Sequence, residues 1–99
     1  MIDESYRVSQ SEALLAKFRK LAEQAKSENR LVAFVKAARW IAEELSRTPS
    51  EFGESSEYLA NAMIQIRRAF VRPLYVEYGV HEHTRSVFLR KFVLLDPPS

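Results

Sequence analysis

The sequence predicts an α+β fold: a short N-terminal strand, a two-helix hairpin, then a three-stranded antiparallel meander. Three observations predict it. Between residues 11 and 46, apolar side chains recur at the three-and-four spacing of amphipathic helices. From Ala62 to Leu95 that period gives way to alternation, in a stretch rich in Val, Ile, Phe and Tyr. Turn formers mark the breaks, with Thr48-Pro49, Gly53, Pro73 and His81-Glu82-His83-Thr84 at the boundaries. One face of such a meander needs an apolar cover, and the helical half carries the stripes to supply it.

With 99 residues the chain is expected to form a single domain, 1–99, around one modest core. Hydrophobic residues make up 46% and charged residues 28%, as in ordinary globular domains. No apolar run approaches the roughly 18 residues of a membrane span. The opening MIDESYRVSQ is too acidic and polar for a signal peptide. The absence of cysteine rules out disulfides, zinc–thiolate sites and a thiol nucleophile, and agrees with a cytoplasmic protein. The formal charge of +2 is uneven. Residues 1–60 hold nine Lys and Arg against ten Asp and Glu, whereas residues 61–99 hold six against three. A basic sheet-forming half is compatible with nucleic-acid contact, and equally with a solvated mixed-charge surface.

In chain order, Tyr6-Arg7-Val8 reads as a strand that joins the later sheet. Ser9 with Glu12 has capping-box spacing, and the first helix follows from about Ser11 to Lys26. Leu14, Phe18, Leu21, Ala22 and Ala25 share its apolar face, and Lys17, Lys20, Glu23 and Gln24 lie outside it. Ser27-Glu28-Asn29 breaks the helix, with Asn29 as the cap of a second helix from about Leu31 to Ser46. Leu31, Phe34, Val35, Ala38, Ile41 and Leu45 form its stripe, and Trp40 is placed over the helix–sheet seam. Ser50 to Asn61 is expected as a loop. Strands then cover Met63 to Val71, Leu74 to Val80 and Ser86 to Leu94.

With this order established, four segments resemble the RelE/ParE superfamily of toxins from type II toxin–antitoxin pairs. They are Tyr6-Arg7-Val8 before two helices; Ile41…Leu45-Ser46-Arg47-Thr48-Pro49…Phe52-Gly53-Glu54-Ser55; Ile66-Arg67-Arg68-Ala69-Phe70…Pro73-Leu74…Val76…Tyr78…Val80; and Arg85-Ser86-Val87…Leu89…Lys91. Together they span about residues 6 to 95. Thr48 stands where the family often has Asp, and Lys91 where Arg is common. The resemblance implies a small sheet backed by a helical hairpin, with a concave front. It implies either a ribosome-dependent mRNA endonuclease that works without metal or a DNA gyrase inhibitor. It also implies a cognate antitoxin that masks the front. Only Asp96 to Ser99 follow Leu95, where the family carries a basic or aromatic extension. That difference favours the alternative, a non-nuclease binding protein of the same fold.

Metal-free RNA cleavage needs a group to take the 2′-OH proton, cations to neutralise the phosphorane and an acid for the leaving 5′-oxygen. Alternation with Ile64, Ile66 and Phe70 turned to the helices puts Gln65 and Arg67 on the open front. In the next strand Leu74, Val76, Tyr78 and Val80 form the core set, so Tyr75, Glu77, Gly79 and His81 face outward. In the last strand Val87 and Leu89 read as core, with Phe88, Arg90 and Phe92 opposite. The expected catalytic residues are therefore Arg67 and Arg90 as phosphate clamps, and Tyr75 and His81 for stacking or proton transfer. Arg68, Arg72 and Lys91 are expected to bind nucleic acid, and Glu77 to form a cross-strand pair with Arg67. His81-x-His83 is a pair of metal-type ligands without a third, so neither a metal nor a cofactor is expected.

Overall fold

The computed structural model describes residues 5–97. Strand β1 (Arg7–Ser9) leads into helices α1 (Glu12–Ser27) and α2 (Leu31–Arg47), and strands β2 (Glu54–Leu59), β3 (Ile64–Val71), β4 (Leu74–His81) and β5 (Ser86–Leu94) follow. They form one mixed sheet in the order β1-β5-β4-β3-β2. β1 runs parallel to β5, and every other pair is antiparallel. The α+β class and the three later strands match expectation. The segment expected as a loop after Gly53 is instead β2, an edge strand pairing with β3. Its polar sequence, ESSEYL, hides it from a hydrophobic pattern, because an edge strand exposed along its whole length needs no apolar alternation.

The helices lie on one face of the sheet, and the core sits between the two layers. Leu14, Ala25, Phe34, Ala37, Ile41 and Leu45 meet Ala69, Leu74, Val76, Tyr78, Val80, Val87, Phe92 and Leu94 there. Phe18 joins two parts of this core, with its ring 5.1 Å from that of Phe34 and 5.0 Å from that of Phe92. Three local expectations change. The cap of α1 is Ser11, whose Oγ accepts from the Leu14 N–H at 3.0 Å, rather than Ser9, which belongs to β1. Asn29 does not cap α2 but takes a left-handed backbone, φ 58°, between the helices, while Arg30 is the cap residue. Trp40 lies outside the core with 59% of its surface exposed.

The strand registers decide which side chains reach the open face. Val71 pairs directly with Leu74 across the two-residue Arg72-Pro73 turn. Directly opposed residues share a face. The buried set Leu74, Val76, Tyr78 and Val80 therefore carries Val71, Ala69, Arg67 and Gln65 to the helix side. Ile64, Ile66, Arg68 and Phe70 go to the open side. This reverses the face expected for β3. The turn length and the stronger pattern of β4 override the apolar pattern of β3 itself, since a one-residue slip would turn the whole of β4 inside out. In β5 a bulge near Arg90, where Glu77 pairs with Lys91 and Tyr78 with Leu89, resets the alternation. Phe92 is thereby buried with Val87 and Leu94 rather than turned outward.

Candidate functional site

Across the open face, β2 to β5 contribute one residue each to a ladder of alternating charge. Glu54 pairs with Arg68, Arg68 with Glu77, and Glu77 with Lys91. The bulge adds Arg90, whose Nη1 lies 3.6 Å from Glu77 Oε1. The Tyr75 hydroxyl is 3.5 Å from Glu77 Oε2, the outer limit of a hydrogen bond. Glu77, partly shielded from solvent, thus has Arg90 and the Tyr75 phenol beside it and Arg68 and Lys91 opposite it on the neighbouring strands. On one side the cluster is bounded by Phe70, whose ring centroid is 4.9 Å from that of Tyr75. On the other, Phe88 and Ile64 close over Gly79, where a Cβ would stand 2.9 Å from Phe88 Cε2 and 3.0 Å from Ile64 Cγ2. The small residue at 79 lets two apolar side chains lie flat on the sheet beside the charged row.

Four of the expected site residues, Tyr75, Arg90, Arg68 and Lys91, gather here. Three do not. Arg67 is on the helix side and only 8% exposed. Its Nε donates to the Phe52 carbonyl at 3.0 Å, its Nη2 to the Gly53 carbonyl at 2.8 Å and its Nη1 to Gln65 Oε1 at 3.0 Å. The two bonds to Phe52 and Gly53 hold the segment between α2 and β2 against the sheet. The Tyr78 hydroxyl works beside it, with the carbonyls of Pro49, at 2.9 Å, and Phe52 both in reach of its one proton. Burial pushes the Tyr78 phenol above its ordinary value of 10.0, and Arg67 opposes part of that rise. The pairing of Glu77 with Arg67 is likewise replaced, by Arg90.

His81 shares the open face but lies four residues from Glu77, about 13 Å at strand rise. Its Nδ1 accepts from the Thr84 N–H at 3.2 Å and meets Thr84 Oγ1 at 2.8 Å, which ties the ring into the β4–β5 turn. The His83 ring is 6.4 Å away, and among the described residues no three His, Cys, Asp or Glu side chains are placed to hold a metal ion. Arg72 lies in the β3–β4 turn, beside a shallow concavity that it shares with Arg30 and Asp96.

Glu77 is the residue that sequence reasoning undervalued. Its signal is the alternation with Tyr75 on the outward face of β4. Its partner differs from the expected Arg67 because β3 turns that arginine to the helix side.

A second polar cluster fixes the far end of the sheet. The Tyr6 hydroxyl meets both oxygens of Glu82, at 2.9 and 2.8 Å, and Ser50 donates to the same carboxylate. The Arg85 guanidinium lies 4.4 Å from the centre of the Tyr6 ring. Burial first, and the Glu82 hydrogen bond second, raise the Tyr6 phenol. This network joins the chain before β1, the segment after α2 and the last turn.

Comparison of the chain with protein-family models, with characterised proteins and with solved structures finds no match. No helix among the described residues is long and apolar enough to cross a membrane.

Proposed function

We infer that the chain is a RelE/ParE-like toxin of a type II toxin–antitoxin pair, acting in the cytoplasm as a ribosome-dependent mRNA endonuclease held in check by a cognate antitoxin. The observation that supports this most is the convergence of Arg68, Arg90 and Lys91 around Glu77, with Tyr75 beside it, on the sheet face that the helices leave open. The strand–helix–helix–sheet order to which the resemblance points supports it as well.

In this reading an mRNA phosphate lies on the row. Arg68 and Arg90 neutralise its oxygens as charge builds on the phosphorane. The Glu77 carboxylate takes the proton of the 2′-OH, and the 2′-oxygen bonds to phosphorus. The bond from phosphorus to the 5′-oxygen breaks, and that oxygen takes a proton from the Tyr75 hydroxyl. The products are a 2′,3′-cyclic phosphate and a free 5′-hydroxyl. Lys91 adds positive charge across from Glu77, and Phe70 and Phe88 offer surfaces for neighbouring bases. Arg67 takes no part, because it is enclosed on the helix side, bonded to the Phe52 and Gly53 carbonyls and to Gln65.

The test is cell-free translation of a reporter mRNA with the purified protein, with new 5′ ends mapped by primer extension. Codon-phased cuts that need ribosomes are expected. Glu77→Gln and Arg90→Ala should each lower cleavage by roughly a hundredfold without loss of fold. Intact mRNA and normal translation would overturn the nuclease reading.

A second reading is favoured by one observation. Every cation in the row already faces a carboxylate, as a surface built for binding rather than for turnover would have it. The chain would then act by contact alone, on DNA gyrase or as a silent homologue bound by its antitoxin.

A further inference from the structure

The sheet edge that adjoins the charged row is prepared for a polypeptide. β3 outlasts β2: the last pair is Glu54 with Arg68, so among the described residues Ala69, Phe70 and Val71 have no strand beside them on that side. The chain leaves this edge at Gly53, which has φ +70° and approaches so closely that a Cβ would be 2.5 Å from the Arg68 carbonyl oxygen. Residues along an antiparallel strand turn their N–H and C=O groups alternately to either neighbour. Ala69 is only 4% exposed and Phe70 66%, so the edge offers its main-chain hydrogen bonds about Phe70.

Beside the edge runs a concavity of about 580 Å³ between α2 and β3, continued by one of about 340 Å³ toward β2. Trp40 and Phe70 stand on its rim, 59% and 66% exposed, which is unusual for side chains of that size. Phe52 lies between them in the wall. Its charged side chains are Glu44, Glu51 and Glu54, with Arg68 as the one cation of the lining. This is a local negative balance on a chain of net charge +2.

We propose that this groove binds an extended, basic segment of a partner protein, which adds to the open end of β3 as a short strand. The partner sets apolar side chains against Trp40 and Phe70, and Lys or Arg against Glu44, Glu51 and Glu54. Main-chain pairing supplies affinity, and the side-chain contacts on either face of the added strand supply choice. The charge of the groove selects the occupant: an acidic segment is repelled by Glu44 and Glu51, while the groove meets the open face at Glu54, Arg68 and Phe70. The proposal stands without the nuclease reading.

Trp40 is the single tryptophan of the chain, so intrinsic fluorescence reports on the groove directly. The probe is a synthetic peptide of about six residues, the common strand length, alternating lysine with valine or leucine. Titration of the full chain should shift and quench Trp40 emission, and hydrogen exchange should show new protection within Ala69–Val71. Glu51→Gln and Glu54→Gln, both at exposed positions, should each weaken binding roughly threefold, and added salt should weaken it further. The same peptide with glutamate for lysine should not bind. No Trp40 response to the basic peptide, or an equal response to the acidic one, overturns the proposal. A Trp40 response without protection at Ala69–Val71 overturns the strand pairing. Protection that grows with protein concentration alone, with a doubled mass by light scattering, assigns the groove to a second copy of this chain and overturns the choice of partner.

Discussion

Arg67 and Arg68 are neighbours in sequence and opposites in structure. Arg67 is enclosed against the helix side and spends its donors on the Phe52 and Gly53 carbonyls and on Gln65. Arg68 is exposed on the open side, between Glu54 and Glu77. The difference teaches that charge in a strand says little about role until the face is known. A buried guanidinium that satisfies main-chain carbonyls is a structural member, costly to remove because its partners then stay desolvated and unpaired. An exposed one in a cross-strand row contributes little to stability and is free to meet a ligand.

The comparison is broken most strongly at the buried member. Arg67→Ala should destabilise the chain by about 3 kcal/mol in urea or guanidinium unfolding, because the carbonyls of Phe52 and Gly53 lose their charged donor. Gly53→Ala attacks the same junction from the backbone. Its φ of +70° and its approach to the Arg68 carbonyl should make it lose about 2 kcal/mol, read as a lower melting temperature.

Next comes pH. Both Tyr78 and Tyr6 hold their phenol protons more tightly in the folded chain than the ordinary value of 10.0. Stability is therefore whole below about pH 10 and falls as pH rises beyond it, because only the unfolded chain then ionises. Tyr78→Phe should flatten this alkaline fall, seen as a smaller loss of melting temperature between neutral and strongly alkaline buffer. The smallest effect belongs to the exposed member. Arg68→Ala should leave unfolding within about 0.5 kcal/mol of the parent. Its consequence should instead appear in oligoribonucleotide binding, measured by fluorescence anisotropy at low salt.

How much of this was legible in the sequence follows from which force dominates each element. The helices and β4 are written as strong periodic patterns, and the structure keeps them within a residue or two. β2 was illegible because a fully exposed edge strand carries no apolar alternation. The face of β3 was misjudged because Ile64, Ile66 and Phe70 look like a core set. The tight turn to β4 carries the register instead, and Ile66 finds its cover on the open side beside Gly79. Leu74 and the two-residue turn are enough to fix that face. The bulge at Arg90 had no such signal. It turns one cation toward Glu77 and buries Phe92 at once, and only the paired strands reveal it. The site was thus half legible: its residue types were found, but the geometry that joins four of them around Glu77 and removes Arg67 was not.

The parallel pairing of β1 with β5 has a consequence for the timing of synthesis. Arg7, Val8 and Ser9 find their partners only at Ser86, Val87 and Phe88. The helices can form and dock early, as local structure does, but the sheet that gives them a permanent surface waits for the most distant contact in the chain. A nascent polypeptide thus lacks its final strand order until Ser86 to Phe88 have emerged beside β1. Its open face, with the charged row that crosses from β2 to β5, comes into being only once β5 has been made.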